Sequence, residues 1–351
     1  MSEKSRLQSA KEIITSYDGA PLRIMEVCGT HTHEIFRLGI RKILPPQIEL
    51  ISGPGCPVCV TPVGFIDEAV YLALEKDCEI CTFGDLIRVP GTEMSLAGAR
   101  SKGAKIKTVY SPMDAVSYAA ENSDKQVVFL AVGFETTTPS ACLAAEQAKK
   151  YGLENFSLLV ANKTMPNAYQ TLKNSADAFL YPGHVNAITG TKICEELCSQ
   201  GVSGVVTGFT ASELMTALAV TVSLSQKGEP FFRNCYPRVV KPEGNPAAQK
   251  LVEKTMRPCH SEWRGLGVIP MSGLTLKDEY AEFDARKKYD IPEIKGKPNP
   301  ACRCGDVLQG KCKPCDCKVF GTVCTPLHPV GACMVSNEGA CSAYYQYGAE
   351  K

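Results

Sequence analysis

Over the first 235 residues, short hydrophobic runs rich in β-branched side chains alternate with longer segments of helical periodicity. Runs that are apolar throughout predict parallel strands buried on both faces, because the helices between such strands cover the sheet. The helical periodicity is clearest over residues 64–76, 141–151 and 211–225. Eight strands are predicted, at residues 23–27, 48–52, 79–83, 106–110, 127–132, 157–161, 178–181 and 204–207.

The predicted strands fall into two groups of four that are similar in length. We therefore expect two similar parallel-sheet α/β domains, one over residues 23–120 and the other over residues 121–235. Beyond residue 235 prolines and charges increase, the periodicity weakens, and residues 287–300 have the composition of a linker. Residues 236–351, together with residues 1–22, are expected to form a third, loop-rich domain that a bound metal would organise.

Charge balance and hydropathy argue against nucleic acid and membranes as partners. The chain of 351 residues carries 38 basic and 37 acidic residues, so it has no excess positive charge for nucleic acid or for an anionic membrane surface. No apolar run approaches the roughly 18–20 residues that a membrane helix needs. The amino-terminal sequence lacks the basic and then apolar pattern of a signal peptide, so a cytoplasmic location is predicted.

Cysteine is the residue type that most narrows the function. The chain has 18 cysteines, and eight of them lie between Cys302 and Cys341. Large cytoplasmic proteins rarely use cysteine for structural disulfides, and crowded cysteines there more often bind metal or take part in redox chemistry. The cysteine content therefore indicates metal or thiol chemistry.

The loops that follow the predicted strands are rich in Gly, Pro, Thr, Cys and His. Four of them read CGTHTH from Cys28, GPGCPVC from Gly53, GFETTTPS from Gly133 and PGHVNAITG from Pro182. The carboxyl ends of parallel strands meet at one edge of a sheet, where open α/β sheets bind their ligands. Ordinary strand-to-helix turns explain the Thr-Pro pairs of such loops, but not their cysteines and histidines.

Cys56 and Cys59 form a C-x-x-C turn between a predicted strand and the start of a helix. The positive end of a helix lowers the pKa of a nearby thiol, so this pair is a candidate redox couple. Cys78 and Cys81 have the same spacing but flank and enter a strand, where residues three apart point to opposite faces. We interpret this second pair as core packing.

Single residues in the strand-end loops are candidate site residues, but each of them also has a structural explanation. His31 and His33 accompany Cys28, which favours a functional role for at least one of the histidines. His184 follows a strand of the second group and suits turn hydrogen bonding and site chemistry equally well. Glu135 is either a capping acid or a proton acceptor. Five cysteines in no recognisable pattern are interpreted as packing residues: Cys142, Cys194, Cys198, Cys235 and Cys259.

The cysteine-rich tail is compatible with two kinds of metal centre. Structural zinc usually takes two close cysteine pairs, which Cys302 with Cys304 and Cys312 with Cys315 imitate loosely. An iron–sulfur cluster takes four thiolates and tolerates wide, irregular spacing. That requirement is met by the series Cys302, Cys317, Cys324 and Cys341. Spacing alone favours the cluster over zinc only modestly.

Four features in combination resemble one known family: CGTHTH at residues 28–33, GPGCPVC at 53–59, GFETTTP at 133–139 and the terminal cysteine series. From about residue 23 to its carboxyl end, the chain resembles the HypD family of hydrogenase maturation proteins. The resemblance implies two α/β domains and a third domain around a [4Fe-4S] cluster. It also implies a complex with a small HypC-type chaperone that carries iron while cyanide and CO are added, with cyanide delivered by a HypE-type partner.

The resemblance further implies roles for individual residues. Cys28 becomes a ligand of the iron that transiently carries cyanide and CO, and the C-x-x-C pair becomes redox-active. The cluster ligands are implied to be Cys302, Cys317, Cys324 and Cys341. The tail has further thiols at Cys304, Cys312, Cys315 and Cys333, and Cys304 is a credible substitute for Cys302 as the first ligand. His31, His184 and Glu135 are expected to serve the same site.

The resemblance thus predicts a maturation factor that scaffolds the Fe(CN)₂CO group of NiFe hydrogenases and supplies redox equivalents for cyanide attachment. Two other interpretations of the sequence stay open. In one, Cys56 and Cys59 serve a free-standing thiol–disulfide oxidoreductase whose tail binds structural zinc. In the other, the chain is a metal-stapled assembly scaffold without a redox role.

Overall fold

The computed structural model describes residues 3–348, which form two parallel sheets, an antiparallel hairpin and a carboxyl-terminal segment of short helices. The strands are β1 (Leu22–Glu26), β2 (Ile48–Ser52), β3 (Glu79–Thr82), β4 (Ile106–Thr108), β5 (Val127–Ala131), β6 (Phe156–Val160), β7 (Ala178–Pro182), β8 (Gly204–Thr207), β9 (Phe232–Asn234), β10 (Met256–Trp263) and β11 (Gly267–Leu276). The helices are α1 (Glu3–Thr15), α2 (Gly29–Arg37), α3 (Pro57–Val60), α4 (Val63–Glu75), α5 (Leu96–Arg100), α6 (Pro112–Glu121), α7 (Thr138–Tyr151), α8 (Pro166–Leu172), α9 (Gly183–Thr189), α10 (Lys192–Ser199), α11 (Ala211–Ser225), α12 (Pro246–Thr255), α13 (Ala285–Lys288), α14 (Cys304–Leu308) and α15 (Ala340–Tyr347). Short 3₁₀ helices lie at Ile40–Ile43, Gly84–Arg88, Asp278–Phe283, Pro314–Asp316 and Ala332–Met334.

The first sheet has the strand order β2-β1-β7-β8-β9, and all neighbouring strands in it are parallel. The second sheet has the order β4-β3-β5-β6 and is also parallel throughout. Strands β5, β6 and β7 are buried along their whole length, as expected for strands that helices cover on both faces. The predicted α/β fold class is confirmed, and each of the eight predicted strands is present with bounds shifted by at most two residues.

The two sheets do not follow the two contiguous groups of strands that the sequence suggested. The first sheet combines β1 and β2 with β7, β8 and β9, whereas β3 to β6 form the second sheet. The division into residues 23–120 and 121–235 therefore does not separate the sheets. A hydrophobic run shows where a strand lies, but it does not encode which other strand will be its neighbour.

The region after residue 235 contains more regular structure than its weak periodicity predicted. Strands β10 and β11 form an antiparallel hairpin with a register irregularity between Cys259 and Ser261. Strand β10 is buried mainly at its two ends, so it lacks the hydrophobic run on which the strand predictions relied. Residues 289–303 carry neither helix nor strand, which agrees with most of the linker expected at residues 287–300.

The amino-terminal helix belongs with the first sheet and not with the cysteine-rich segment. Ala10 and Ile14 of α1, and Tyr17 just after it, pack in one hydrophobic cluster with α11, which covers that sheet. An apolar helix face folds onto the core that can bury it, and here that core is the first sheet. Residues 1–2 and 349–351, which were assigned to the third domain, lie outside the described residues.

A buried carboxylate fixes the end of β1, from which the CGTHTH loop departs. Glu26 is fully buried, forms an ion pair with Arg41 and accepts a hydrogen bond from Thr32 Oγ1 at 2.7 Å. Burial raises the pKa of Glu26, while the charge of Arg41 opposes that shift. The guanidinium also lies over the Phe36 ring, 4.5 Å from its centroid. The ion pair therefore anchors β1 to the segment that follows α2.

Replacing Arg41 with methionine should reduce the free energy of unfolding by about 3–5 kcal/mol, because Glu26 would stay buried without its partner. Urea unfolding measures the loss. Arg37→Met is the matched control, since it removes a more exposed arginine paired with Glu34 and should cost at most about 1 kcal/mol. Equal losses in the two variants would contradict the role assigned to the buried pair.

Candidate thiol-rich functional site

Two cysteine-bearing loops meet at the carboxyl end of the first sheet. The loop after β1 carries Cys28, and the loop after the neighbouring strand β2 carries the C-x-x-C turn. Gly55 lies so close to Cys28 that a Cβ atom on residue 55 would be 2.1 Å from the Cys28 nitrogen. The Gly29 amide donates to the Gly55 carbonyl oxygen at 3.1 Å. The CGTHTH and GPGCPVC loops are therefore in direct backbone contact.

Cys28 is a buried free thiol immediately before α2. Burial raises the pKa of this thiol to about 12, although the backbone amides of His31 and Thr30 donate hydrogen bonds that oppose the shift. The thiol therefore keeps its proton at neutral pH unless a cation stabilises the thiolate. Such a group is a poor nucleophile by itself and becomes a ligand when metal binding displaces the proton.

Cys56 and Cys59 lie before and within the single helical turn α3. The Cys59 amide donates to the Cys56 sulfur at 3.3 Å. Burial, assisted by the thiols of Cys333 and Cys56, raises the pKa of Cys59 well above its usual value. The expected lowering by a helix terminus is wrong for Cys59, because α3 has only four residues and complete burial disfavours the thiolate more strongly.

Cys333 connects the C-x-x-C turn to the tail, although it was predicted only as an extra thiol. It follows Ala332, whose carbonyl oxygen lies 3.9 Å from the Cys59 sulfur. Three neighbouring thiols donate hydrogen bonds to the Cys333 sulfur and hold its pKa well below the usual range; they belong to Cys304, Cys341 and Cys59. Cys333 therefore lies in contact with thiols of the C-x-x-C turn and of the tail. The spacing of Cys333 from the other cysteines matches no metal-binding motif, so no sequence signal identifies it.

The two candidates for the first cluster ligand are neighbours in space. The sulfur atoms of Cys302 and Cys304 are 3.2 Å apart, Cys304 is buried and Cys302 is half-buried. Cys312 is half-buried and Cys315 is exposed, so these two thiols lie nearer the surface than Cys304. The geometry thus keeps both Cys302 and Cys304 as candidates.

Two other predicted ligands are held by backbone contacts. The Val330 amide donates to the Cys324 sulfur at 3.3 Å, an interaction that favours a thiolate. The Cys317 thiol donates to the carbonyl oxygen of Ala301 at 3.7 Å, next to Cys302. The tail therefore folds its separated cysteines towards one region.

The chemistry of this donor set fits an iron–sulfur cluster. Cys317, Cys324 and Cys341 form no disulfides and are 8%, 6% and 7% exposed. Buried thiolates are the ligands that hold such clusters. Among residues 3–348, however, no group of three or more His, Cys, Asp or Glu side chains is arranged to hold a metal ion. The predicted ligands lie in one region without being arranged around one point.

The cysteines outside this region differ in burial. Cys78 and Cys81 are fully buried in two different hydrophobic clusters, which confirms the prediction of core packing on opposite faces. Cys142 and Cys194 are buried as well. Three cysteines that were also predicted to pack are only half-buried: Cys198, Cys235 and Cys259.

His31 and His184 both pack against the Phe209 ring, with centroid distances of 4.8 Å and 5.1 Å. Because β1 and β7 are neighbours, both histidines belong to one sheet end and not to two domains. His31 Nε2 donates to the Gly208 carbonyl oxygen at 3.0 Å, and Nδ1 is buried without a partner in the described part of the chain. Burial lowers the pKa of His31 to about 3 and that of His184 to about 4, so both rings are neutral at neutral pH.

Glu135 comes from the second sheet and lies in the loop between β5 and α7. Its Oε1 accepts a hydrogen bond from the Met165 amide at 2.8 Å, at the start of α8. Its Oε2 is buried without a hydrogen-bond partner among residues 3–348, and burial raises the pKa of this carboxyl to about 7. Glu135 therefore caps a helix with one oxygen and leaves the other available for proton transfer.

Glu338 is an acidic residue of the tail that was not among the predicted site residues. Thr30 Oγ1 donates to Glu338 Oε1 at 2.8 Å across 308 positions of sequence. Burial raises the pKa of Glu338, and its charge adds to the raised pKa of Cys28. His33 opposes the shift in Glu338, and its ring packs against Tyr347. Only tertiary contacts bring Glu338 to this loop, so no local motif marks it.

Fold and site together define a class of protein. It is an α/β protein whose parallel strands end at buried free cysteines, which a cysteine-rich tail covers. This donor set suits thiol chemistry and the binding of metals that prefer soft ligands. No helix within residues 3–348 is long and apolar enough to cross a membrane.

Known proteins are similar in sequence to this chain along almost its whole length. The model of the Hydrogenase formation hypA family, HypD, matches residues 4–348. Hydrogenase maturation factor HypD of Escherichia coli (strain K12) is 44% identical over 335 residues, 93% of this chain and 89% of that protein. The factor of the same name from Cupriavidus necator is 42% identical over 344 residues, which cover 94% of this chain and 90% of that protein. Hydrogenase expression/formation protein HupD of Azotobacter chroococcum is 41% identical over 357 residues, which cover 98% of this chain and 94% of that protein. The chain belongs to the HypD family of hydrogenase maturation factors, and the resemblance seen in its motifs is confirmed.

Alanine at residue 55 should destabilise the protein by about 1–3 kcal/mol and displace Cys28, because the new Cβ would lie 2.1 Å from the Cys28 nitrogen. Gly84→Ala is the control, since the atom nearest to its Cβ, in Thr108, is 3.7 Å away. Urea unfolding compares the two variants. Similar midpoints would contradict the close contact between the loops.

Stability should fall as the pH decreases, partly through His184. The pKa of this ring is about 4 in the folded protein and about 6.5 in the unfolded chain. Between these two pH values the unfolded chain therefore binds more protons than the folded protein. The free energy of unfolding should therefore drop below about pH 6.5, by up to about 1.4 kcal/mol per pH unit for this group. His184→Gln should flatten that decline in urea unfolding from about pH 7 to about pH 4.5. Parallel declines in variant and wild type would show that His184 does not contribute.

Proposed function

We propose that this protein and a small HypC-type chaperone together scaffold the assembly of the Fe(CN)₂CO group of NiFe hydrogenases. In this proposal the protein also supplies redox equivalents for the attachment of cyanide, which a HypE-type partner delivers. One observation carries the proposal: the buried Cys28 thiol lies where the C-x-x-C loop and the tail meet. Membership of the HypD family supports a role in hydrogenase maturation.

Cys28 is the proposed protein ligand of the iron that receives cyanide and CO. Low-spin iron with such ligands suits a soft thiolate. Cys28 holds its proton in the free protein, so iron binding would release that proton. The chaperone is proposed to supply a further thiolate. The unpartnered Nδ1 of His31 and Oε2 of Glu135 are the groups proposed to hold or accept protons near this ligand.

Cys56 and Cys59 are the proposed redox couple. Oxidation of the pair to a disulfide releases two electrons, which cyanide attachment from a thiocyanate-like donor would consume. Their closeness in one turn supports the couple, as does the contact of Cys59 with the Cys333 segment. Attack of Cys333 on the disulfide of the pair would free one of its thiols and leave the other in a mixed disulfide with Cys333, and an external two-electron reductant would be needed to return all three to thiols.

A [4Fe-4S] cluster is proposed in the tail, held by Cys317, Cys324 and Cys341 together with Cys302 or Cys304. When bound, such a cluster exchanges single electrons. The burial of the thiols and the Val330 amide on the Cys324 sulfur support thiolate ligation there. Cluster binding would also stabilise a segment that consists mainly of short helices and loops.

A free-standing thiol–disulfide oxidoreductase with a zinc tail is less well supported. Cys56 and Cys59 are 3% and 0% exposed. An oxidoreductase that acts on separate proteins needs an accessible attacking thiolate, and burial raises the pKa of Cys59. The position of the pair favours chemistry inside the protein over exchange with a separate substrate.

Replacing Cys28 with alanine should abolish the cyanide and CO infrared bands of the complex purified anaerobically with its chaperone, because the iron loses its protein ligand. The iron and sulfide of the tail cluster and its visible absorption should persist. Cys142→Ala is the matched control, since Cys142 is a buried cysteine in the hydrophobic cluster of the second sheet. This control should retain both the infrared bands and the visible absorption.

Infrared bands that survive in Cys28→Ala would contradict the assignment of Cys28. Replacing Cys317 should have the complementary effect, because losing one thiolate removes the visible absorption and destabilises the tail. Zinc in place of iron in the anaerobically prepared wild type would contradict the cluster.

A further inference from the structure

A cavity of about 720 Å³ lies where the turn between β10 and β11 meets three other parts of the chain. Its walls come mainly from the stretches 88–97, 297–300 and 327–330. Sites for small molecules usually have volumes of about 300–1,000 Å³, so this cavity has room for one. No cysteine of residues 3–348 lines it, and the proposed function gives it no role.

Hydrogen bonds tie the walls of this cavity to one another. Arg88 Nη1 donates to the carbonyl oxygen of Pro326, in the tail, at 2.7 Å. The Lys297 amide, in the linker, donates to Thr92 Oγ1 at 2.8 Å. The walls are therefore fixed before a ligand enters, which lowers the entropic cost of binding.

Arg264 is the buried cation of the cavity. It lies in the turn between β10 and β11, lines the cavity and is 9% exposed. Its Nε donates to the Thr61 carbonyl oxygen at 2.7 Å, and one terminal nitrogen donates to the Pro90 carbonyl oxygen at 3.2 Å. No hydrogen bond from the other terminal nitrogen is found in the described part of the chain. Since a buried charge is costly without an opposite charge, this position favours an anion.

The other charged side chains of the cavity are also mostly cationic. Arg88 and Lys297 line it with Arg264, and the acidic residue among them is Glu93. None of the ion pairs found among residues 3–348 includes any of these three cations. Asp67 lies behind the wall, and its carboxylate accepts hydrogen bonds from that wall at 2.7 Å and 2.6 Å. A cleft lined by charges of one sign attracts ligands of the opposite sign.

We propose that this cavity binds a small anion through its carboxylate or phosphate oxygens, with Arg264 as the buried contact and Arg88 and Lys297 at the exposed rim. A guanidinium presents its N–H groups in one plane and so matches the oxygens of either group. Pro298 and Pro300 of the wall have no amide hydrogen to donate, so the cations provide the recognition. The inference concerns a separate cavity and does not depend on the proposed iron or redox chemistry.

Isothermal titration calorimetry of the full chain, prepared anaerobically, tests this inference with two probes. Succinate represents carboxylates and inorganic phosphate represents phosphates, and sodium chloride keeps the ionic strength constant. At least one probe should bind with a stoichiometry of one. Its affinity should fall about tenfold or more in Arg264→Gln, because a buried charge partner is lost. It should fall about threefold in Lys297→Gln, where the lost charge is exposed.

Lys295→Gln is the matched control for Lys297→Gln. Lys295 belongs to the same linker and its side chain is 85% exposed, but it is paired with Glu293 and does not line the cavity. Arg286→Gln is the control for Arg264→Gln, since Arg286 also donates to a backbone carbonyl oxygen but is paired with Glu68. Both controls should bind the probe as the wild type does.

The absence of saturable binding of either probe to the wild type would overturn the inference. So would equal affinities in the wild type, Arg264→Gln and Lys297→Gln, because the anion would then be held elsewhere. An equal loss in Lys295→Gln and Lys297→Gln would reveal a general effect of charge and would also contradict a specific site. If Arg264→Gln fails to fold by circular dichroism, Lys297→Gln and Arg88→Gln decide the question, since both side chains are exposed.

A separate variant distinguishes this inference from the proposed function. Cys28→Ala should bind the probe with the affinity of the wild type, because Cys28 does not line the cavity. The fate of the cyanide and CO infrared bands in that variant bears on the proposed function alone. A loss of probe binding in Cys28→Ala would contradict the independence of the two sites and overturn the inference.

Discussion

The contact between the buried Cys59 sulfur and the Ala332 carbonyl joins parts of the chain that are 273 residues apart, and the arrangement of the site depends on it. The tail contributes side chains such as Leu308 and Met334 to a hydrophobic cluster that also contains residues of both sheets. The cysteine-rich segment therefore folds by completing a core that the α/β part of the chain has begun. A metal bound to its thiols would add stability to this shared core and not to a separate unit.

The interleaved order of the strands explains why the two sheets share one hydrophobic cluster. The chain leaves the first sheet after β2, builds the whole second sheet and returns at β7. Helix α8, which follows the last strand of the second sheet, places Tyr169 against Phe179 and Tyr181 of β7. The carboxyl of Glu135 bonds to the start of that same helix. Groups from both sheets thus face the Cys28 loop across a packed interface.

The sequence predicts most of the strands and only part of the site. Apolar runs are a local signal, so the buried strands could be located from them, and the rule for parallel strand ends correctly brought the Cys28 and Cys56 loops together. Strand partners were not predictable, because hydrophobicity does not encode them. Strand β10 was missed because its burial is confined mainly to its ends. Cys333 and Glu338 were missed because they reach the site through contacts with residues far away in the sequence.

The pKa of Cys59 shows how a helix terminus and burial have opposite effects on a thiol. A helix terminus favours a thiolate and burial disfavours it, and sequence alone does not give the degree of burial. Once the chain is folded, burial dominates at Cys59 and raises its pKa, whereas hydrogen bonds from neighbouring thiols lower the pKa of Cys333. Burial also raises the pKa of Cys28.

Two electrostatic environments therefore adjoin each other in the site. Around Cys28 burial raises the pKa of the thiol, which stays protonated and weakly reactive. Around Cys333 three donated hydrogen bonds lower the pKa of the sulfur. The GPGCPVC loop separates the two environments and touches both, through Gly55 on one side and Cys59 on the other. In the proposed function, a change of redox state at Cys59 would alter the loop that packs on Cys28, and one short segment of backbone would then couple the proposed redox pair to the proposed iron ligand.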